Sequence, residues 1–89
     1  MRSRTTAKFR ALYDAAPQPV RERARTAYQL WAENPEHPSL RFKKVHASLP
    51  IYSVRIDLDW RAVGVLEGDE AVWFWIGSHA DYERLLRQL

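Results

Sequence analysis

Cysteine is absent from this 89-residue chain. That excludes a disulfide framework, a thiolate zinc site and a Cys nucleophile, and makes a reducing cytoplasm the expected compartment. Glycine is scarce. Gly64, Gly68 and Gly77 stand isolated in the C-terminal half, so there is no phosphate-cradling loop, dinucleotide fingerprint or nucleophile elbow. Long apolar runs are missing too. The longest, Ala71-Val72-Trp73-Phe74-Trp75-Ile76-Gly77, falls far short of the roughly 20 residues of a membrane span, and the Arg-studded N-terminus lacks an apolar h-region. Neither membrane insertion nor export by a signal peptide is expected. Internal repeats and low-complexity segments are not found, and residues 34–38, rich in proline, read as a loop within one domain covering 1–89. His37, His46 and His79 show no ligand spacing, and the acids of Asp57-Leu58-Asp59 and Glu67-Gly68-Asp69-Glu70 sit where turns ordinarily put them. No metal and no cofactor are expected.

What the chain does have is bulk. Hydrophobic residues make up 46%, including four Trp, four Tyr and three Phe, enough to build a core in a domain that buries only about 60 to 65% of its unfolded surface. Residues 5–14 and 18–34 read as two helices. The second carries Val20, Ala24, Ala27, Tyr28 and Trp31 on one stripe, with Pro17 and Pro19 at its entry and Asn34-Pro35 at its end. Short runs rich in Val, Ile and aromatics follow at 40–46, 52–58, 61–67 and 71–77 and read as strands. Gly68-Asp69 suits a two-residue hairpin turn setting Val65 opposite Val72, Gly64 opposite Trp73, Val63 opposite Phe74 and Ala62 opposite Trp75. The last strand is apolar on both faces, so elements are expected above and below the sheet. Ser78-His79-Ala80-Asp81 resembles a capping box and opens a helix bearing Tyr82, Leu85, Leu86 and Leu89. The expected class is α+β: an N-terminal α-hairpin packed on a four-stranded, mainly antiparallel sheet, with a C-terminal helix.

The net charge of +3 conceals an asymmetry. Residues 1–25 carry seven basic and two acidic groups, residues 26–55 four and two, and residues 56–89 three and seven. A polyanion-facing surface is therefore expected on one side only. Arg41, Lys43, Lys44 and His46 form a basic stripe on the first strand, suited to phosphates or to protecting a sheet edge. Alternation puts Ser53, Arg55 and Asp57 on one face, where Arg55 either binds a phosphate or pairs with Asp57 or Asp59. Arg61 shares that face after a three-residue loop and takes the other after a two-residue loop. His79 lies at a strand end near a helix N-terminus, where an imidazole can donate or accept a proton or simply bond to backbone. Tyr82 begins the apolar stripe of the last helix, within reach of the same strand end.

Leu40-Arg41-Phe42-Lys43-Lys44-Val45, Tyr52-Ser53-Val54-Arg55-Ile56, Trp60-Arg61-Ala62-Val63 and Trp75-Ile76-Gly77-Ser78-His79-Ala80-Asp81-Tyr82 together resemble the RelE/ParE superfamily of toxin–antitoxin toxins, over about residues 17–82. The resemblance implies a toxin of a type II system, cleaving messenger RNA without metal, on the ribosome in some members. By position, Lys43 and Lys44 resemble the RNA-backbone binders, with Arg41 and His46 beside them. Arg55 resembles the arginine at the scissile phosphate, with Arg61 supporting it. His79 resembles the general acid of the YafQ-type branch, Tyr82 the nearby tyrosine, and His46 is the remaining candidate base. A cytoplasmic protein is implied, with an antitoxin, RNA and the ribosome as partners. The alternatives are a ParE-type toxin that inhibits DNA gyrase and an inactive toxin fold kept as an interaction module. The chain departs from many members in that residues 5–9 show no strand pattern.

Overall fold

A computed structural model describes residues 2–89. The elements run β1 (Arg2–Thr5), α1 (Ala7–Ala15), α2 (Gln18–Glu33), a 3-10 turn (Pro38–Leu40), β2 (Lys43–Lys44), β3 (Ile51–Arg55), β4 (Trp60–Glu67), β5 (Glu70–Ser78) and α3 (His79–Gln88). One sheet of five strands, in the order β1-β5-β4-β3-β2, has the helical hairpin on one face and α3 on the other. The α+β class and the placement of helices above and below the sheet agree with expectation; the strand count does not.

The additional strand is β1. It lies parallel to β5, with Arg2 opposite Glu70 and Thr5 opposite Trp73. Arg-Ser-Arg-Thr has no apolar period because the strand is an edge held by backbone bonds and by Arg4 Nε on Glu70 Oε1 at 3.2 Å. Thr6 then caps α1, its hydroxyl accepting the Phe9 N–H at 3.1 Å, so the helix begins at Ala7 and not at residue 5. The strand expected at 40–46 shrinks to Lys43–Lys44. Leu40 closes the 3-10 turn and is 2% exposed, and Arg41 takes a left-handed backbone (φ 45°) that no strand continues. Strand 52–58 likewise stops at Arg55.

Gly68 (φ +62°) makes the expected hairpin turn between β4 and β5. Val65 opposes Val72 and Gly64 opposes Trp73, but beyond a bulge Val63 opposes Trp75 and Ala62 opposes Ile76, one residue out of the expected register. That bulge inverts side-chain parity. Trp73 packs with Ala27, Trp31 and Val54 under the hairpin, whereas Trp75, two residues on, packs with Val63 and Tyr82 under α3. Both cores thus receive a tryptophan from one strand. The indoles lie over glycines: a Cβ at Gly64 would come within 2.7 Å of Trp73 Cε3, and one at Gly77 within 2.5 Å of Trp75 Cζ2. Beyond the bulge, Gly77 faces Arg61 across the ladder and the chain enters α3 at His79.

Candidate active site

On the α3 face a cleft of about 200 Å³ opens where β3, β4 and the start of α3 meet. Arg55 and Arg61 stand directly opposite each other in the β3–β4 ladder, so they share a face, and the alternative left by the sequence is resolved. Lys43, opposite Ser53 on the β2 edge, and Arg41 supply two more cations. Arg55 is not ion-paired with Asp57 or Asp59: its Nε donates to the Asp57 carbonyl at 3.4 Å. Arg61 Nη1 donates to the same carbonyl at 2.8 Å and to that of Trp60 at 3.0 Å. Among the described residues, none of these four cations is salt-bridged. Burial lowers the pKa of Arg61, and the Arg55 guanidinium lowers it further. Arg41 adds to that effect, while Tyr82 and Asp57 oppose it. Such a cluster is held together at a cost in repulsion that an anion would relieve.

His79 is the first residue of α3. Its backbone N–H donates to the Asp59 carbonyl at 2.6 Å, and Ser78 Oγ accepts the Asp81 N–H at 3.2 Å, as the capping pattern predicts. The imidazole is half exposed, with Nε2 3.7 Å from Glu83 Oε1. Asp81 points away, onto Arg84. That contact and the bond with Ser78 hold its carboxyl below the usual range. Tyr82 is buried between Trp75 and the cleft, and its hydroxyl donates to Ser53 Oγ at 3.0 Å, pinning α3 to β3 under the cations. Its ring centroid lies 5.8 Å from that of His79.

The cleft therefore gathers Arg41, Lys43, Arg55, Arg61, His79 and Tyr82. Two expected site residues lie elsewhere. Lys44 alternates to the other side of β2, with Nζ 3.5 Å from the Ala47 carbonyl. His46 accepts the Ser48 and Leu49 N–H groups at Nδ1 (3.1 and 2.9 Å), which leaves the ring proton on Nε2, 3.0 Å from the Leu89 carbonyl. Its ring is occupied as a loop clasp away from the cleft. Besides the apolar Leu86, two polar lining residues escaped the sequence reading as site members, although both signals were present. Ser53 sits two residues before Arg55 on the same face, and Glu83 is one helical turn beyond His79.

The N-terminal positive charge is partly spent within the fold. Arg2 lies 3.8 Å from Asp69 and 3.9 Å from Glu70, Arg4 meets Glu70, and Arg23 meets Asp57. On the opposite face a larger groove of about 550 Å³ runs between β1, α1 and α2, floored by Phe9, Tyr13, Ala24, Trp31 and Trp73 and edged by Arg4, Arg10 and Arg25.

A family model described as the ParE-like toxin domain matches residues 18–84. The chain belongs to that family. Its fold is also that of solved toxins at low sequence identity. YafQ from E. coli strain BL21(DE3) superposes with a TM-score of 0.73 at 14% identity, covering 92% of this chain and 98% of that one. The RelB-RelE antitoxin-toxin complex from Methanococcus jannaschii gives 0.73 at 13% identity, with 91% and 95% covered. The YoeB/ParE toxin from Agrobacterium tumefaciens gives 0.71 at 14%, with 89% and 99% covered. No curated protein matches the chain by sequence. The family match extends past His79 and Tyr82 to residue 84, while β1, which the sequence concealed, precedes its start at residue 18.

Proposed function

We propose that this ParE-like chain is the toxin of a type II toxin–antitoxin system and acts in the cytoplasm as a metal-independent endoribonuclease on ribosome-bound messenger RNA. The observation that carries the reading is the cluster of Arg41, Lys43, Arg55 and Arg61, none of them salt-bridged among the described residues, set beside a half-exposed histidine. A phosphodiester fits it. The 2'-hydroxyl attacks phosphorus and a 2',3'-cyclic phosphate forms as the bond to the 5'-oxygen breaks. Arg55 and Arg61 neutralise charge on the pentacoordinate phosphate, and His79 protonates the departing 5'-oxygen. Glu83, the one carboxylate lining the cleft among the described residues, takes the 2'-hydroxyl proton. Arg41 and Lys43 hold the flanking backbone.

The test is cleavage of a ribosome-bound message by the purified chain and by His79→Ala. Loss of about 10²- to 10⁴-fold is expected. Undiminished cutting by the variant would remove the assigned acid. Intact transcripts with accumulating DNA breaks would favour gyrase inhibition instead.

RelE and YafQ are known in complexes with antitoxins, as the RelB-RelE and DinJ-YafQ structures record. In this chain the groove between hairpin and sheet suits such a partner, because an apolar floor with an arginine rim matches an acidic amphipathic segment. The buried indole N–H groups of Trp31 and Trp73, both lining the groove, have no acceptor among the described residues. Ala24→Glu, which sets a carboxylate on the floor, is expected to weaken capture of an antitoxin encoded beside this gene at least tenfold. Unchanged capture would place the partner elsewhere.

A further inference from the structure

One turn bonds both arginines assigned to the reacting phosphate and the backbone of His79, and one residue of α2 holds the turn. The Asp57 carbonyl receives Arg61 Nη1 at 2.8 Å and Arg55 Nε at 3.4 Å. Asp57 Oδ1 accepts the Asp59 N–H at 2.9 Å, and the Asp59 carbonyl accepts the His79 N–H at 2.6 Å. The remaining carboxylate oxygen, Oδ2, is bound by Arg23 Nη1 at 3.1 Å across 34 residues of sequence. Among the described residues this is the one salt bridge made by α2. The carboxylate of this pair is the sheltered end, the Asp57 side chain being 20% exposed.

We propose that Arg23 and Asp57 are positioning residues for the phosphate chemistry, aiming Arg55, Arg61 and His79 through the β3–β4 turn without touching RNA themselves. The inference rests on the ribonuclease reading above. It separates two uses of the same guanidinium groups. Holding an RNA backbone in the cleft needs their charge, which survives small displacements. Stabilising the pentacoordinate phosphate needs their aim, and a displacement of about 1 Å at such a site costs on the order of 100-fold in rate. Breaking the Arg23–Asp57 contact should therefore reduce kcat and spare KM.

The experiment measures initial rates on a ribosome-bound message over a range of complex concentrations. It compares the wild type with Arg23→Gln, Arg23→Lys, Asp57→Asn and Lys8→Gln, where Lys8 is exposed on α1 and controls for the loss of one positive charge. Arg23→Gln and Asp57→Asn are expected to lower kcat about 10- to 100-fold with KM within threefold of wild type. Arg23→Lys should restore most of the rate, and Lys8→Gln should match wild type. Arg23 is 58% exposed, so Arg23→Gln stays informative even if Asp57→Asn does not fold. Arg23→Gln cutting as fast as Lys8→Gln would overturn the inference. So would a raised KM with unchanged kcat, which would make Arg23 an RNA contact. A wild-type chain that cuts no message would remove the ribonuclease reading, and the inference with it.

Discussion

Arg55 and Arg61 face each other across the β3–β4 ladder and share one acceptor, the carbonyl oxygen of Asp57. Two guanidinium groups do not adopt that arrangement for their mutual benefit. Proximity lowers the pKa of Arg61, after the larger effect of burial, and among the described residues no carboxylate bridges either group. The pair is a positively charged seat in which two like charges face each other across the ladder.

Removing one arginine should therefore weaken anion binding far more than folding. Arg55→Ala is expected to leave unfolding free energy within about 0.5 kcal/mol of wild type, since a bond at 3.4 Å is lost while like-charge repulsion is relieved. Its affinity for a short single-stranded RNA should fall about tenfold at low salt, with the slope of log K against log salt shallower by about 0.7. Urea unfolding and fluorescence anisotropy read the two quantities. Unchanged affinity together with a loss of about 2 kcal/mol in stability would instead make Arg55 a structural residue.

The glycines under the two tryptophans give an ordering that contacts alone predict. At Gly64 a Cβ would meet Trp73 Cε3 at 2.7 Å and the Val72 carbonyl oxygen at 2.9 Å, and a backbone atom cannot rotate away. At Gly77 the clash is with the ring of Trp75, a side chain that packs against Tyr82 at 6.5 Å between centroids. Gly68 has open space but a positive φ. Alanine is expected to cost about 1 to 3 kcal/mol at Gly64 and Gly77, with Gly64 the worse, and about 1 kcal/mol at Gly68 through backbone strain. Urea titrations followed by tryptophan fluorescence would rank them. Equal losses at all three positions would mean that packing against the indoles does not decide the cost.

These same residues mark where the sequence was legible. Periodicity locates α2 because Val20, Ala27 and Trp31 must face the core, and the turn chemistry of Gly68-Asp69 locates the hairpin. Local pattern misses β1, since a polar edge strand is defined by its partner β5 and not by its own side chains. It also misses the bulge, which depends on fitting Trp73 and Trp75 into two different cores. At the site, Arg55, His79 and Tyr82 share the cleft because strand alternation and helix capping are local rules. His46 does not, because the path from β2 to β3 and the end of α3 are tertiary facts. Asp57 was legible as a turn acid and as a partner for Arg55, but not for Arg23, because that bond depends on how α2 crosses the sheet.

His46, His79 and Glu83 can all exchange protons, but their surroundings differ. His46 clasps its own loop and the Leu89 carbonyl, whereas His79 and Glu83 line the cleft with Nε2 and Oε1 3.7 Å apart. His46→Ala is expected to lower stability by about 1 kcal/mol through lost hydrogen bonds, while the rate of RNA cleavage stays at the wild-type level. His79→Ala should lower that rate about 10²- to 10⁴-fold, because the acid that protonates the 5'-oxygen is gone. Glu83→Gln should lower it by a comparable factor, because no carboxylate remains to take the 2'-hydroxyl proton. Cleavage rates of the three folded variants decide the matter. A His46→Ala chain that folds normally yet loses cleavage would return the base to the β2–β3 loop and displace Glu83 from the role.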